Sequence, residues 1–187
     1  PEFDKYPDEY KAPVLLKMGD NISTDEILRA GAEVLPLRSN IEEISKFTFS
    51  IIDDTFYDRA MESKEDYPGH IVVAGDNYAQ GSSREHAALA PKYLGQLAVI
   101  ARSYARIGWQ NLVNFGILPL EFVNAGDLDK IEQGDLLELK NLREGIEGDG
   151  EIIVHNATQD VDIPAKHSLS GRQKKVLLEG SIINYFK

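Results

Sequence analysis

The sequence predicts an α/β fold in which a parallel β-α-β-α-β core is joined by additional antiparallel strands. Three apolar runs, each short enough for one buried strand, alternate with stretches of helical pattern. These runs are residues 71–74, 96–101 and 117–122. Successive strand-helix-strand connections place strands in parallel with right-handed crossovers. Short alternating strands with polar glycine turns follow and favour antiparallel pairing. They are residues 136–139, 151–155 and 161–163.

The composition limits the classes of protein to which this chain can belong. The 187 residues, 42% of them apolar, suit one compact domain with a sizeable core. The chain has 31 acidic and 20 basic residues and a net charge of -11, whereas a phosphate-binding surface needs a basic field. It contains neither a run of 18 apolar residues nor a charged-then-apolar leader. We therefore expect a soluble cytoplasmic domain, or one of the mitochondrial matrix in a eukaryote, with no nucleic-acid and no membrane partner.

The N-terminal segment lacks a clear pattern. Residues 1–13 contain three prolines and three aromatic residues without periodicity, so they are predicted as an extended linker, with a disordered terminus as the alternative. A short strand follows at residues 14–18 and ends in a glycine turn at residues 19–21. Residues 14–187 are therefore predicted as the folded domain.

Two polar candidates precede the central part of the chain. Asp25 follows Ser23 and Thr24, and these three residues could simply cap a helical turn. Arg38 is one cation in an otherwise apolar run, where an arginine is usually a solvated surface residue. Residues 41–69 mix short apolar bursts with acidic residues and are predicted as structural connections.

The central loop, residues 75–86, links the strand at 71–74 to the start of a helix. Its two glycines let the backbone approach a ligand, and the unpaired amides at the helix start favour an anion. Arg84 can bind a carboxylate with two hydrogen bonds, and Ser82 or Ser83 could handle a proton beside it. The alternative is a capping box, in which a serine and Glu85 satisfy the helix N-terminus.

Proline and glycine residues are predicted to interrupt or end the two helices of the core. Pro91 and Gly95 are predicted to interrupt and close the helix after the central loop. Gly116 is predicted to end a second helix, over residues 103–115, as a C′ glycine. In a parallel sheet the ligand site lies beyond the carboxyl ends of the strands, which is where residues 81–84 fall.

The last third of the chain ends in one more helix and carries two histidines. Residues 168–179 are predicted as a closing helix, capped by Ser168 or Ser170. His155 and His167 have no partner at ligand spacing, so both are interpreted as structural and no metal site is predicted.

Several motifs together closely resemble one family. Gly-Ser-Ser-Arg-Glu-His at residues 81–86, and the stretches at 100–107 and 115–120, match in order the signature of the aconitase family in its C-terminal swivelling domain, which is shared with the isopropylmalate dehydratase small subunit. The resemblance implies a swivelling β/β/α domain. It also implies the substrate-binding and catalytic-base part of an iron–sulfur hydro-lyase of the aconitate hydratase type, which interconverts citrate and isocitrate through cis-aconitate.

The resemblance carries roles onto individual residues. It implies that Ser82 is the catalytic base and that Ser83 and Arg84 bind substrate. Residues 24–27 resemble the family's Thr-Asp-x-Ile motif, which makes Asp25 a site residue that orients a neighbour. Arg38 falls where the family binds a substrate carboxylate, although the spacing is about one residue longer.

The substrate stays open among several acids. Leu28 replaces a serine of the mitochondrial-type enzymes, while isopropylmalate dehydratases tend to be apolar there. The alternatives are therefore the small subunit of isopropylmalate dehydratase, homoaconitase or a methylcitrate-pathway dehydratase.

The cysteine count determines whether this chain could hold an iron–sulfur cluster by itself. It has no cysteine, which excludes thiolate ligation of an iron–sulfur cluster by its own residues. Family resemblance implies a [4Fe–4S] cluster bound outside this chain, on three cysteines of other aconitase domains or of a large subunit. We therefore expect two partners, the tricarboxylate or hydroxy-acid substrate and the cluster-bearing part.

Two other classes of function remain possible from the sequence. A serine hydrolase would pair Ser82 with His86, one helical turn away, but the second glycine of a Gly-x-Ser-x-Gly elbow and a matching acid are missing. A non-catalytic carboxylate-binding module would keep the site without any cluster.

Overall fold

A computed structural model describes residues 3–187, and within them seven strands form one closed barrel. The strands are β1 (Tyr10–Lys17), β2 (His70–Ala74), β3 (Gln96–Ala101), β4 (Leu118–Phe122), β5 (Leu136–Leu139), β6 (Ile152–Asn156) and β7 (Val161–Lys166). The helices are α1 (Thr24–Ile27), α2 (Ile41–Ser45), α3 (Phe56–Ser63), α4 (His86–Tyr93), α5 (Arg106–Asn114), α6 (Leu142–Glu147), α7 (Gly171–Leu178) and α8 (Ile182–Tyr185), with 3-10 turns at Leu35–Leu37 and Ala125–Lys130. Over this described range, no helix has the length and apolar character needed to cross a membrane.

Strand directions follow the prediction, but the sheet closes. Strands β1 to β4 pair in parallel, and the other neighbours around the barrel pair antiparallel. The predicted parallel core of β2, β3 and β4 and the antiparallel C-terminal strands are confirmed. The prediction missed the closure, in which β5 pairs with β1 and Leu139 lies opposite Tyr10. Side-chain patterns report buried faces, whereas closure depends on the backbone groups at strand edges.

The predicted boundary at residue 13 cuts through β1 and needs correction. This strand starts at Tyr10, inside the segment predicted as a linker. Tyr6 is buried as well: its hydroxyl donates to Leu97 O at 2.9 Å and lies 2.6 Å from the Tyr10 hydroxyl. Residues 6–13 therefore pack on the domain. Residues 1 and 2 of the predicted linker lie outside the described residues.

Two apolar cores explain why the parallel strands are continuous apolar runs. In β3, Ala98 and Ile100 belong to the core inside the barrel, while Val99 and Ala101 pack against the helices outside it. All four side chains are fully buried. A strand that is covered on both faces has no polar positions, as is usual for parallel sheets.

Local capping explains one end of each of two helices. In a third helix, tertiary packing overrides the predicted interruption. Gly116, just beyond α5, has φ = +74°, so the predicted C′ glycine is confirmed. Ser170 caps α7, because its Oγ accepts a hydrogen bond from Gln173 N–H, although this helix is shorter than predicted. Pro91, however, lies within α4, which continues to Tyr93. The predicted interruption is wrong because Pro91 is buried and tertiary packing outweighs helix propensity.

Gly116→Ala is expected to lower the free energy of unfolding by about 2–4 kcal/mol, since a left-handed alanine is strained and overpacking adds to the cost. The added Cβ would overlap Gly180 O at the contact between the two glycines. Urea unfolding of the chain measures the loss. Gly126→Ala is the control, because nothing lies within 4 Å of a Cβ there. Equal stabilities for both variants would contradict this packing.

Candidate active site

The central loop lies across the carboxyl ends of three parallel strands. It leaves β2 and is bound on one side to the turn after β3, where Tyr78 N–H donates to Ser103 O at 3.0 Å. On the other side, Ala79 N–H donates to Ile22 O at 2.8 Å, in the turn after β1. This is the sheet edge at which the parallel topology predicted a ligand site.

The loop backbone is held in a left-handed conformation that other residues enforce. Asn77 and Ala79 have φ of 57° and 66°, which costs a residue other than glycine about 1–2 kcal/mol. The Asn77 side-chain amide donates to Asn21 Oδ1 at 3.1 Å and to Gln80 Oε1 at 2.8 Å. Gly108 lets α5 approach, because a Cβ at that position would overlap Ala79. The loop is therefore fixed before any ligand binds.

Tyr78, a buried residue of the loop, packs on the partly buried Tyr104 of the turn after β3. The rings of Tyr78 and Tyr104 pack edge to face with their centroids 6.1 Å apart. The Tyr104 hydroxyl donates to the carbonyl oxygen of Leu120 at 2.6 Å. Burial raises the pKa of both tyrosines well above the usual value of the phenol. Both stay neutral near pH 7, and their contacts are structural.

Ser82 and Ser83 do not cap a helix. Helix α4 begins at His86, and the residue at its N-cap, Glu85, makes no side-chain capping bond. The capping-box alternative is therefore wrong for this loop. Both serines are exposed, and within residues 3–187 neither hydroxyl has a hydrogen-bond partner. Two hydroxyls at the start of α4 are thus available to a ligand.

Arg84 is held in place by Asp25. The guanidinium is partly buried, with Nη2 2.6 Å from Asp25 Oδ1 and Nη1 donating to Leu28 O at 3.3 Å. The Asp25 side chain is 62% exposed, so this pair contributes little to stability. Its effect is to fix the direction of the guanidinium, whose remaining N–H groups can bind an anion.

Asp25 is free for this role because Ser23 caps α1. Ser23 Oγ accepts from Glu26 N–H at 3.2 Å, and Ser23 N–H donates to Glu26 Oε2 at 2.7 Å. The capping interpretation of this turn therefore holds for Ser23. It does not extend to Asp25, whose carboxylate points to Arg84.

Arg38, Ser83 and Arg84 line one pocket of about 300 Å³. Arg38 reaches it from the end of the 3-10 turn at Leu35–Leu37. Ser82 lines an adjacent, much smaller cavity, with Arg84 forming part of both walls. The structure thus brings the residues that the sequence singled out to one region. Asp25 pairs with Arg84, and Arg84 lines both the pocket with Arg38 and Ser83 and the cavity with Ser82. Their assignment to catalysis and to substrate binding stays a prediction.

Sequence reasoning missed Arg29, which also lines this pocket. Arg29 pairs with Glu33, and its guanidinium carbon lies 5.3 Å from the centroid of the Phe47 ring. The available signal was its position directly after Leu28, in the segment between the two candidates Asp25 and Arg38. Three arginines therefore line one pocket, together with Glu85. Two of them are already paired with carboxylates, Arg29 with Glu33 and Arg84 with Asp25.

The described residues do not form a serine-hydrolase arrangement. His86 Nε2 donates to Arg38 O at 2.8 Å, since a carbonyl oxygen can only accept. Within the described part of the chain, no hydrogen bond joins His86 to Ser82. The serine therefore lacks the adjacent base that this mechanism requires.

The residues of this chain do not fit an iron–sulfur cluster. The sequence has no cysteine, and residues 3–187 contain no group of three or more His, Asp or Glu side chains that could hold a metal ion. His155 pairs with Asp162, Nδ1 to Oδ1 at 2.8 Å, and His167 Nε2 donates to Gly145 O at 3.0 Å. Both histidines have partners within the fold itself.

Comparison with known proteins decides the family. Residues 15–125 match the family described as the aconitase C-terminal domain, more than half of the chain. The chain belongs to this family. The aconitase C-terminal domain match includes the central loop, Asp25 and Arg38, so every candidate site residue lies within the matched part.

The relatives of this aconitase C-terminal domain differ in the share of their own length that the chain covers. It is 39% identical to homocitrate dehydratase, mitochondrial, from Saccharomyces cerevisiae, over 95% of this chain and 25% of that protein. It is also 39% identical to 3-isopropylmalate dehydratase small subunit 2 from Archaeoglobus fulgidus, over 91% of each chain. A crystal structure of 3-isopropylmalate dehydratase from Methanocaldococcus jannaschii is similar, with a TM-score of 0.75 and 29% identity over 95% of this chain and 93% of that one. The chain thus spans a quarter of one relative and nearly all of the others.

Proposed function

We propose that this chain is the substrate-binding and catalytic-base part of a hydro-lyase that acts on a hydroxy acid with two or more carboxylates. One observation carries the proposal: Arg84, which Asp25 orients, lines both the pocket with Arg38 and Ser83 and the adjacent cavity with Ser82, and among the described residues neither serine hydroxyl has a hydrogen-bond partner. The family, and the dehydratase names of its relatives, support the same class of reaction.

Ser82 is the proposed base. Dehydration of a hydroxy acid removes a proton from a carbon next to a carboxylate and expels the hydroxyl of the neighbouring carbon as hydroxide, and the two together make up the water that is lost. Ser82 Oγ, as the alkoxide, takes the carbon-bound proton. A serine alkoxide needs stabilisation at neutral pH, which the Arg84 charge and the free amides at the start of α4 can supply.

Arg84 and Arg38 are proposed to bind two carboxylates of the substrate. Both line the pocket with Ser83, whose hydroxyl can donate a further hydrogen bond. We propose that a [4Fe–4S] cluster, which acts as a Lewis acid in such enzymes, is held outside this chain by further domains or a large subunit. This chain together with that cluster-bearing part is called the assembled enzyme.

Two classes of substrate remain candidates, each favoured by a different part of the pocket. Three arginines favour a tricarboxylate, as in an aconitate hydratase that interconverts citrate and isocitrate. Leu28, Val34 and Ile44 line the same pocket and would accept the alkyl group of isopropylmalate. We place the tricarboxylate first because burial of a guanidinium beside an alkyl group would leave its hydrogen bonds unmade.

Arg38→Lys tests this ranking in the assembled enzyme. Lysine keeps the charge but loses the planar fork, so the KM for a tricarboxylate is expected to rise about 10- to 100-fold, equivalent to 1.5–3 kcal/mol. The assay compares citrate, homocitrate, methylcitrate and isopropylmalate at fixed ionic strength. Arg143→Lys is the control, because Arg143 pairs with Glu147 on the surface of α6.

The outcomes of this assay separate the candidates. Turnover of isopropylmalate alone, with a KM that Arg38→Lys leaves unchanged, would establish the second substrate. Binding of these acids without turnover by the assembled enzyme would contradict the proposed activity and favour a carboxylate-binding module.

A further inference from the structure

The Arg38 segment, defined as residues 31–40, is weakly attached to the rest of the fold. Its backbone hydrogen bonds join residues of the segment to one another or to α2, which Asn40 caps. Val34 is its one buried apolar side chain, in a small cluster with Leu28, Ile44 and Ala90. Few contacts therefore determine where the Arg38 guanidinium lies relative to the central loop.

His86 supplies the hydrogen bond that joins this segment to α4, in addition to the apolar cluster that Val34 shares with Ala90 of the same helix. Its Nε2–H donates to Arg38 O at 2.8 Å. Among the hydrogen bonds of the described residues, this is the one that links the Arg38 segment to a helix or strand other than α2. The partner of Glu33, Arg29, belongs to the loop that leads into the segment. His86 is also the first residue of α4, so one side chain connects the backbone of Arg38 to the helix start beside Arg84.

The chemistry of this contact suits positioning. Both the neutral tautomer with its proton on Nε2 and the imidazolium donate from Nε2, so the hydrogen bond needs no particular protonation state. Its acceptor is a backbone carbonyl, which leaves the Arg38 guanidinium free to enter the pocket. Because Nε2 is used in this bond and no bond to Ser82 exists among residues 3–187, His86 has no contact through which it would move the substrate proton.

We propose that His86 is a positioning residue, which holds Arg38 at the correct distance from Ser83 and Arg84 and thereby sets the affinity for the substrate's second carboxylate. This inference rests on the proposed function, in which Arg38 binds that carboxylate. His86→Ala in the assembled enzyme is expected to raise the KM about 5- to 20-fold, since a single hydrogen bond and the orientation it provides are lost, with kcat within about twofold of wild type.

Conservative variants distinguish positioning from a general structural role. His86→Gln retains an N–H donor at similar reach and is expected to restore a KM within about threefold of wild type. His86→Glu has a similar length but only accepts hydrogen bonds when ionised, so it is expected to resemble His86→Ala. The pH profile of kcat should be the same for wild type and His86→Gln. His155→Gln, at a histidine remote from the site, is the control.

A second measurement does not depend on activity. Hydrogen exchange of the chain should show faster exchange in residues 31–40 for His86→Ala than for wild type or His86→Gln, while the strands exchange at unchanged rates. A kcat that collapses in all three variants, with loss of one limb of the pH profile, would overturn the inference and make His86 a proton-transfer group. Unchanged KM and unchanged exchange in His86→Ala would overturn it as well.

Failure of this inference can be told apart from failure of the proposed function. If Arg38→Lys raises the KM and His86→Ala does not, Arg38 binds the carboxylate without help from His86. If Arg38→Lys leaves the KM unchanged, the proposed role of Arg38 fails, and the inference falls with it.

Discussion

Ser82→Ala lowers kcat of the assembled enzyme by about 10²–10⁴-fold, the usual cost of losing a general base. The same change leaves the free energy of unfolding within about 0.5 kcal/mol of wild type, as expected for an exposed side chain away from packing and capping contacts. Ser82 is exposed and, within the described residues, its hydroxyl makes no hydrogen bond. Turnover of a saturating substrate and urea unfolding of the chain measure the two quantities.

Ser170→Ala is the matched control for this prediction. Ser170 caps α7 through Gln173 N–H, so its loss is expected to lower stability by about 1 kcal/mol and to leave kcat unchanged. The two serines thus predict opposite results in the two measurements. Near-normal turnover of Ser82→Ala together with a clear loss of stability would contradict the role assigned to this hydroxyl.

Arg84→Lys is expected to lower kcat/KM by about 10²–10³-fold, because two charge-assisted hydrogen bonds and the fork geometry are lost together. A lysine cannot contact Asp25, the Leu28 carbonyl and a substrate carboxylate with the same planar arrangement. Steady-state kinetics of the assembled enzyme measure the loss, with Arg143→Lys as the surface control.

Asp25→Asn separates orientation from binding. The amide keeps the shape of the side chain but loses the charge that holds Arg84 Nη2, so a smaller loss of about tenfold in kcat/KM is expected. If Arg84→Lys were as active as wild type, the ion pair with Asp25 would be only a surface contact. Carboxylate binding would then have to be assigned to Arg29 and Arg38.

Strands were predictable where burial is complete. The residues of β2 and β3 are buried on both faces, and such strands can only be apolar runs. Strand β1 was placed four residues late because Pro13 looks like a strand breaker and because Tyr10 pairs with Leu139, far away in the chain. Local patterns contain no information about a partner at that separation.

The site was predictable in its residues but not in its contacts. Ser82, Arg84 and Asp25 lie in motifs that local sequence displays, whereas the Asp25–Arg84 pair joins α1 to the start of α4 and depends on the parallel sheet. A Ser-x-x-Glu pattern indicated a capping box in the central loop, but the capping boxes of the described chain are at Ser23 and Ser170. Arg29 was not considered, and His86 was considered only as the partner of Ser82 in a serine hydrolase, because both contact residues 31–40, which local patterns do not place.

We propose that this chain supplies the base and the carboxylate site while the cluster-bearing part supplies the cluster. The most direct test mixes the purified chain with that part and follows the ultraviolet absorbance of the unsaturated acid formed from the hydroxy acid. We predict turnover only when both are present, and turnover lower by about 10²–10⁴-fold when the added chain carries Ser82→Ala. Equal turnover by the cluster-bearing part alone, or by the mixture with Ser82→Ala, would contradict the claim.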